Sequence, residues 1–339
     1  MKLVLKRCCE NFDNDFTFEV FNPSEASWLN KPHVSNRFLY EEQVHAFYVT
    51  YSQKLEKFNF SLGNRFEKAI INTTQYALNE RNRLSYLNLF PSANLQYHIS
   101  KMQDLRFTYS RRIDRPGAWR LNPFPDIADS LNIRTGNPRL QPEYIQSLEL
   151  GHHITFKKWD LTSTLFYRYT SGIVDYIVTV DDNGISHGRP ENLNHGYDIG
   201  VEFIGSASLA DWWNMNVSYS IFQRSIDGSN INQDFTNENV AWNAKVVSDF
   251  TLPGNFKLQA NFNYESAEVE AQGEDFARYS VDCSLAKSFL EDKIRVSISA
   301  RDIFNTRRYG GTSHGDGFFQ ERNFKPESRL VFLSLALKI

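Results

Sequence analysis

The sequence is poor in what several protein classes require. It has three cysteines, Cys8, Cys9 and Cys283, too few for a disulfide framework. Its longest apolar stretch lies near "LVFLSLAL" at the C-terminus. A membrane-spanning helix needs about 20 such residues, so helical spans are excluded. Lysine and arginine number 37 against 40 aspartates and glutamates, a net charge of −3. With no basic tract either, no nucleic-acid partner is indicated. No 3.6-residue apolar pattern persists beyond two turns. The opening "MKLVLKRCCENFDND" has three consecutive apolar residues, against about 7–15 in the core of a secretory signal. An export address is therefore missing from a chain that otherwise reads as exported. A fragment, a mature piece or a misassigned start is expected.

What is present in quantity is aromatic and alternating. Aromatics make up 14% of the residues, with 27 Phe and 16 Tyr, types that strands favour. In "NFKLQANFNY" (255–264) Phe256, Leu258, Ala260, Phe262 and Tyr264 alternate strictly with polar residues, the period of a strand with two unlike faces. Trp213, Met215, Val217, Tyr219 and Ile221 do the same, as do Ile294, Val296, Ile298 and Ala300. The last strand places Val331, Leu333, Leu335, Leu337 and Ile339 on one side. Cys283 falls with Val281 and Leu285 on an apolar face.

The connections alternate as well. Short ones lie near 54–57, 100–104, 157–159, 209–212, 252–255 and 290–293, and long ones near 69–83, 114–142, 172–195, 226–237, 267–275 and 305–326. A sandwich has no reason to sort its loops this way, whereas an outer-membrane barrel puts short turns on one side and long loops on the other. The runs are about 10–15 residues long, against a usual mode of about 5–6. Trp159, Trp212 and Trp213 stand beside short turns, with Phe58, Phe256 and Phe289 in equivalent places, as in an interfacial aromatic girdle. The pattern predicts an all-β fold, an antiparallel up-and-down transmembrane β-barrel with lipid on the Phe256 face. Thirteen strands are counted from 38 onward, and one near 15–21 ("DFTFEVF") makes about 14.

Residues 89–152 carry more specific signals: "LFPS" (89–92), "YSRRIDRP" (109–116), "LNPF" (121–124), "GNPRLQPE" (136–143) and "SLELG" (147–151). With "HAFYVTYSQKLEKFNFSLGNRFE" (45–67) and "ARDIFNT" (300–306), the chain resembles the C-terminal barrel part of TonB-dependent outer-membrane receptors, especially the Bacteroidetes-type outer-membrane β-barrel family. The resemblance covers about residues 37–339. It leaves 1–36 as an N-terminal segment with at most one strand and no plug domain, followed by the barrel domain 37–339. It implies a Gram-negative outer-membrane location and energised import of a scarce ligand such as a siderophore, glycan or peptide. The implied partners are outer-membrane lipid, a TonB-type energising complex where a plug is present, and a surface lipoprotein. Importers of this kind have about 22 strands around a filled lumen, so the expected strands are part of a larger barrel.

For ligand binding, the connection 114–142 offers Arg115, Trp119, Arg120, Arg134 and Arg139, suited to gripping an anionic or glycan ligand through guanidinium forks and ring stacking. The competing reading is an architectural loop with its prolines fixing φ. His314 sits in the Gly-rich "YGGTSHGDG" (309–317), expected to be a mobile outer loop. Its "GTSHG" matches G-x-S-x-G but lacks the strand–turn–helix that a nucleophile elbow needs, so no catalytic residue and no enzyme is predicted. His152 and His153 are adjacent and so face opposite ways in a strand. No metal site and no cofactor are predicted. Charges such as Arg65, Glu67, Glu149, Arg168, Glu202 and Lys245 are expected to line the lumen or bond to a plug. The alternatives are a stand-alone 14-stranded passive channel and a soluble secreted glycan-binding β protein.

Overall fold

The computed structural model describes residues 2–31, 35–290 and 293–338. Among them fourteen strands form one sheet: β1 (Lys2–Phe16), β2 (Asn36–Lys54), β3 (Phe58–Gln75), β4 (Glu80–Ser100), β5 (Gln103–Asp114), β6 (Glu143–Thr155), β7 (Trp159–Ser171), β8 (His195–Ala210), β9 (Trp213–Asp227), β10 (Thr236–Leu252), β11 (Phe256–Glu265), β12 (Arg278–Phe289), β13 (Ile294–Arg301) and β14 (Leu330–Leu337). Their order across the sheet is their order along the chain, and each neighbouring pair is antiparallel. This is the expected up-and-down meander, in which consecutive strands need only hairpin connections.

The register makes each alternating strand part of a continuous surface. Leu258 lies between Phe250 and Leu285, and Phe262 between Val246 and Val281. On the opposite face Asn263 lies between Lys245 and Ser280, and Gln259 donates to Asp249 at 2.7 Å. A one-residue slip would exchange the faces, so the side-chain pattern fixes the pairing.

Rings collect at the short-turn end, as expected: Phe58–Tyr97 at 4.7 Å, Phe156–Trp159 at 4.2 Å and Trp213–Phe250 at 5.7 Å between centroids. Lys287 Nζ lies 4.2 Å over Phe256, its stem along the apolar face and its charge at the edge. A second belt, which the sequence reading did not include, runs higher: Tyr167–Tyr197 at 6.4 Å, Tyr219–Trp242 at 6.1 Å and Trp242–Tyr264 at 4.1 Å. Tyr167 follows Trp159, and Tyr264 follows Phe256, by eight residues. At ~3.3 Å per residue and a tilt of about 40° that is roughly 20 Å of height, close to the apolar band of an outer-membrane barrel.

Three expectations are corrected. The first strand is not at 15–21 but at Lys2–Phe16, and Glu19–Asn22 pairs with Ser27–Asn30 in a small hairpin beyond it. Among its described residues the segment 1–36 thus holds three strands rather than at most one. The pairing of β1 is dictated by β2, from Lys2↔Thr50 to Phe16↔Asn36, rather than by its own weak alternation. The connection expected at 69–83 is a four-residue turn, because β3 and β4 run on for 18 and 21 residues. Their polar ends read as loop but pair, Asn72 with Arg83 and Thr74 with Arg81, and Asn79 turns the chain at φ 53°. The supposedly mobile loop 305–326 is a hairpin, Tyr309–Gly315 against Phe318–Phe324. Gly310 and Gly311 leave no room for a Cβ against the carbonyls of Arg322 and Glu274, so they permit close strand approach. Ile339 and part of the 290–293 turn lie outside the described residues.

Buried apolar side chains gather at the long-loop end. One cluster joins Phe38, Tyr40 and Ile71 of β2 and β3 to Leu121 and Leu140 of the 115–142 connection. Another joins Ile177, Leu193, Phe235, Val269 and Ala271 from three other loops to Ile226 of β9. The loops are therefore packed together over the polar face.

Candidate functional site

The 115–142 connection is anchored by Arg115. Its Nε donates to Tyr86 Oη at 2.8 Å and lies 3.3 Å from Glu42 Oε1. Its guanidinium also meets Glu67, which pairs with Arg65 and is 1% exposed. Arg115 is thus committed to the strand wall, and the ligand-facing role expected for it gives way to a structural one. Together with Arg65, the arginine compensates a buried carboxylate.

Beyond this anchor the chain makes one short helical turn, Ala118–Leu121, that presents Trp119 at 60% exposure. The indole stacks on Tyr176 with centroids 6.1 Å apart and planes 11° apart. The Arg120 guanidinium lies 5.1 Å from the centre of the Trp119 ring. Burial raises the Tyr176 phenol pKa, while the charges of Arg134 and Arg120 oppose the shift, so both cations act on one ring. Neither arginine forms an ion pair among the described residues.

The platform is held from behind. Tyr176 belongs to the strand Val174–Val180, which pairs with Ser186–Asn192, and that strand pairs in parallel with Asn132–Arg134. Buried Asn137 donates to Pro190 O at 3.1 Å and to Glu191 at 2.9 Å, and its N–H reaches Arg120 O at 2.7 Å. Trp119, Arg120 and Arg134 are therefore brought together around Tyr176. Arg139 is exposed, with its N–H on Asn137 Oδ1 at 3.0 Å. His314 is exposed on the hairpin, which touches this connection through Gln320 Nε2 and Asn132 Oδ1 at 3.4 Å. Tyr176 gave no signal in the sequence, because its relation to Trp119 arises only when two loops meet.

The loops are also tied by polar contacts. Gln272 clasps Val178, accepting from its N–H at 2.6 Å and donating to its O at 2.9 Å. Asp175 accepts from Tyr176 N at 2.7 Å and Ala271 N at 3.1 Å. Burial, then the charges of Asp175 and Asp275, push Glu270 up to about 8. Below, the polar face carries two adjoining hollows of about 490 and about 320 Å³, which share Glu149 and Thr164. Arg106 and His153 line the first, and Arg168, Glu202 and Arg224 the second. Arg224 donates to Asp198 at 2.9 Å. His152 and His153 do face opposite ways, toward Gln103 and Thr162.

Residues 5–336 match the model of the outer membrane protein beta-barrel family. The chain belongs to that family. It is an outer-membrane chain of a Gram-negative cell: its apolar face meets lipid, its polar face the lumen, and its long loops the exterior. No curated protein matches the sequence. Among solved structures it is similar to the copper transporter OprC, with a TM-score of 0.69 and 10% identity over 98% of this chain and 53% of that one. It is also similar to the unliganded ferric citrate transporter FecA, with a TM-score of 0.64 and 14% identity over 98% and 50%. The ferric yersiniabactin uptake receptor FyuA from Yersinia pestis gives 0.63 and 13% over 98% and 49%. The outer-membrane chain thus spans about half the length of the structures it matches.

Proposed function

We propose that this sheet is the barrel portion of a TonB-dependent importer. The remaining strands and a lumen-filling plug would come from the rest of the protein, and the imported compound is a scarce anionic or glycan ligand. The observation that carries the reading is the coincidence of the whole fourteen-stranded sheet with half of each of several metal-uptake barrels. Two features support it. The lumen wall mixes Arg106, Arg168 and Arg224 with Glu149, Asp198 and Glu202, a surface that a polar plug can bond. At the outer mouth, Trp119, Tyr176, Arg120 and Arg134 offer a flat ring face beside unpaired guanidinium groups, suited to ring stacking and to bidentate contacts with carboxylate. A TonB-type complex would pull on the plug, and a surface lipoprotein would cover the mouth.

The test is uptake by cells that carry the gene in its natural context. A panel of ferric chelates, copper, oligosaccharides and peptides is offered with and without a protonophore. Protonophore-sensitive uptake of one of them is expected. Trp119→Ala should weaken binding of that ligand about tenfold, roughly 1.4 kcal/mol. Steady ion conductance of the purified protein in a planar bilayer, with no energised uptake, would instead make it a passive channel.

A further inference from the structure

The lipid-facing side of β1–β3 carries a feature that import does not use. Arg7, His45 and Lys68 are cross-strand neighbours in one row, and all three are exposed. The next row toward the membrane is Leu5, Phe47 and Phe66, with the two rings 6.1 Å apart. Together these residues border a shallow hollow of about 510 Å³, closed on the β4 side by Leu87. None of the three side chains forms an ion pair among the described residues. The nearest acid on this face of β2 is Glu41, four residues further out.

The height of the row identifies its surroundings. Lys68 follows the lower-girdle residue Phe58 by ten positions. At ~3.3 Å per residue and a tilt of about 40° it stands roughly 25 Å up, the height of the apolar band. On β9 the same ten steps from Trp213 end at Gln223, where the outward face also turns polar. The next row outward is Cys9, Gln43 and Ile70, and the one after it, Asn11, Glu41 and Asn72, is wholly polar. The row of Arg7, His45 and Lys68 thus marks the level where hydrocarbon gives way to headgroups. The Arg7 and Lys68 cations flank the His45 imidazole with no acid beside them, a setting that favours an anion between them, and the anions at this level are lipid phosphates. Apolar side chains directly below match the acyl chains that such a phosphate carries.

We propose that Arg7, His45 and Lys68 form a binding site for the phosphate headgroup of an outer-leaflet lipid whose acyl chains lie along Leu5, Phe47 and Phe66. The guanidinium and ammonium supply charge-assisted hydrogen bonds, and the imidazole donates between them.

The experiment places the whole protein, purified from outer membranes, in phosphatidylcholine nanodiscs doped with bis-phosphorylated lipid A or with its dephosphorylated form. Bound lipid is then counted by native mass spectrometry. The wild-type protein should retain the phosphorylated lipid and not the dephosphorylated one. Arg7→Gln/His45→Gln/Lys68→Gln should lower occupancy about tenfold, the loss expected when charged donors are removed. The single variant Lys68→Gln should lose part of it and Lys68→Arg should keep it. Unchanged heat-modifiable migration on gels verifies that each variant is folded. Equal occupancy in the wild type and folded triple variant would overturn the proposal. So would displacement of the lipid by inorganic phosphate alone, which would make the site one for free phosphate.

Discussion

Asp302 organises the loop that follows β13. Its φ is 43° and its side chain is fully buried. The carboxylate accepts from Thr306 N at 2.9 Å, from Arg307 N at 3.0 Å and from the Ser328 hydroxyl. Its own N–H donates to Asp282 at 2.8 Å. Burial alone would raise the pKa, but these donors outweigh it and hold the group at about 2. The "DIFNT" segment is thus a carboxylate wrapped by the residues that follow it. Asp302→Ala should cost about 2–3 kcal/mol, the range for hydrogen bonds to a charged acceptor, read from equilibrium unfolding in detergent. Because the folded pKa lies below the unfolded value of about 3.9, this contribution is complete above that value and fades as pH falls toward about 2. Glu270 has the opposite sign. Its pKa is raised by burial and by Asp175 to about 8, so its contribution is present in acid and is lost as pH rises through about 8. Protection factors of residues 266–277, with the intrinsic rise of exchange with pH divided out, should fall as pH rises from the unfolded value of about 4.3 to about 8, and Glu270→Gln should flatten the response. An unchanged profile in that variant would assign the effect to another group.

At the scale of the strand, facing controls everything. Leu333 is 77% exposed on β14 and lies opposite Ile298, on the face continuous with Phe256 of β11 through β12 and β13. Leu333→Arg should cost about 2–4 kcal/mol if it lies near the midplane and should impair insertion, measured as the folded fraction in lipid vesicles. Normal insertion would count against the facing. Cys283, paired between Ala260 and Ala300, sits on the same face as a small apolar filler. The hairpin Tyr309–Gly315 makes the converse point. Its glycines look like flexibility in the sequence, yet Gly311 faces the carbonyl of Glu274. Gly311→Val should unzip that contact at about 1–3 kcal/mol, a usual cost of overpacking, seen as loss of exchange protection at Asp275 and its neighbours.

At the scale of the molecule, the sheet has two edges among the described residues. β1 pairs with β2 and β14 with β13, so each presents one row of backbone groups to a further strand, and a membrane tolerates such rows only when they are paired. The exposed Leu5 (82%) and Leu333 (77%) belong to an apolar face that water would not favour. The chain should therefore need detergent or lipid to remain dispersed, checked by sedimentation with and without amphiphile. A folded monomer in plain buffer would overturn the assignment of lipid to the Phe256 face.

The sequence by itself determined the all-β class, the two faces of most strands, the lower aromatic girdle and the places of the short turns. Alternation is a property of one extended chain, so it is legible wherever one face is apolar along its whole length. It faded where strands continue past the membrane, as at Asn72 and Arg83, because both faces there are polar. It also faded in β1, whose pairing depends on β2. Of the group at the outer mouth, Trp119, Arg120 and Arg134 were visible as residue types. That Arg115 turns inward to Glu67, that Tyr176 stacks under Trp119, and that Asp175 meets Glu270 were decided only by the tertiary structure. Each depends on segments far apart in the chain meeting over the lumen, and on a buried charge finding the partner that burial demands.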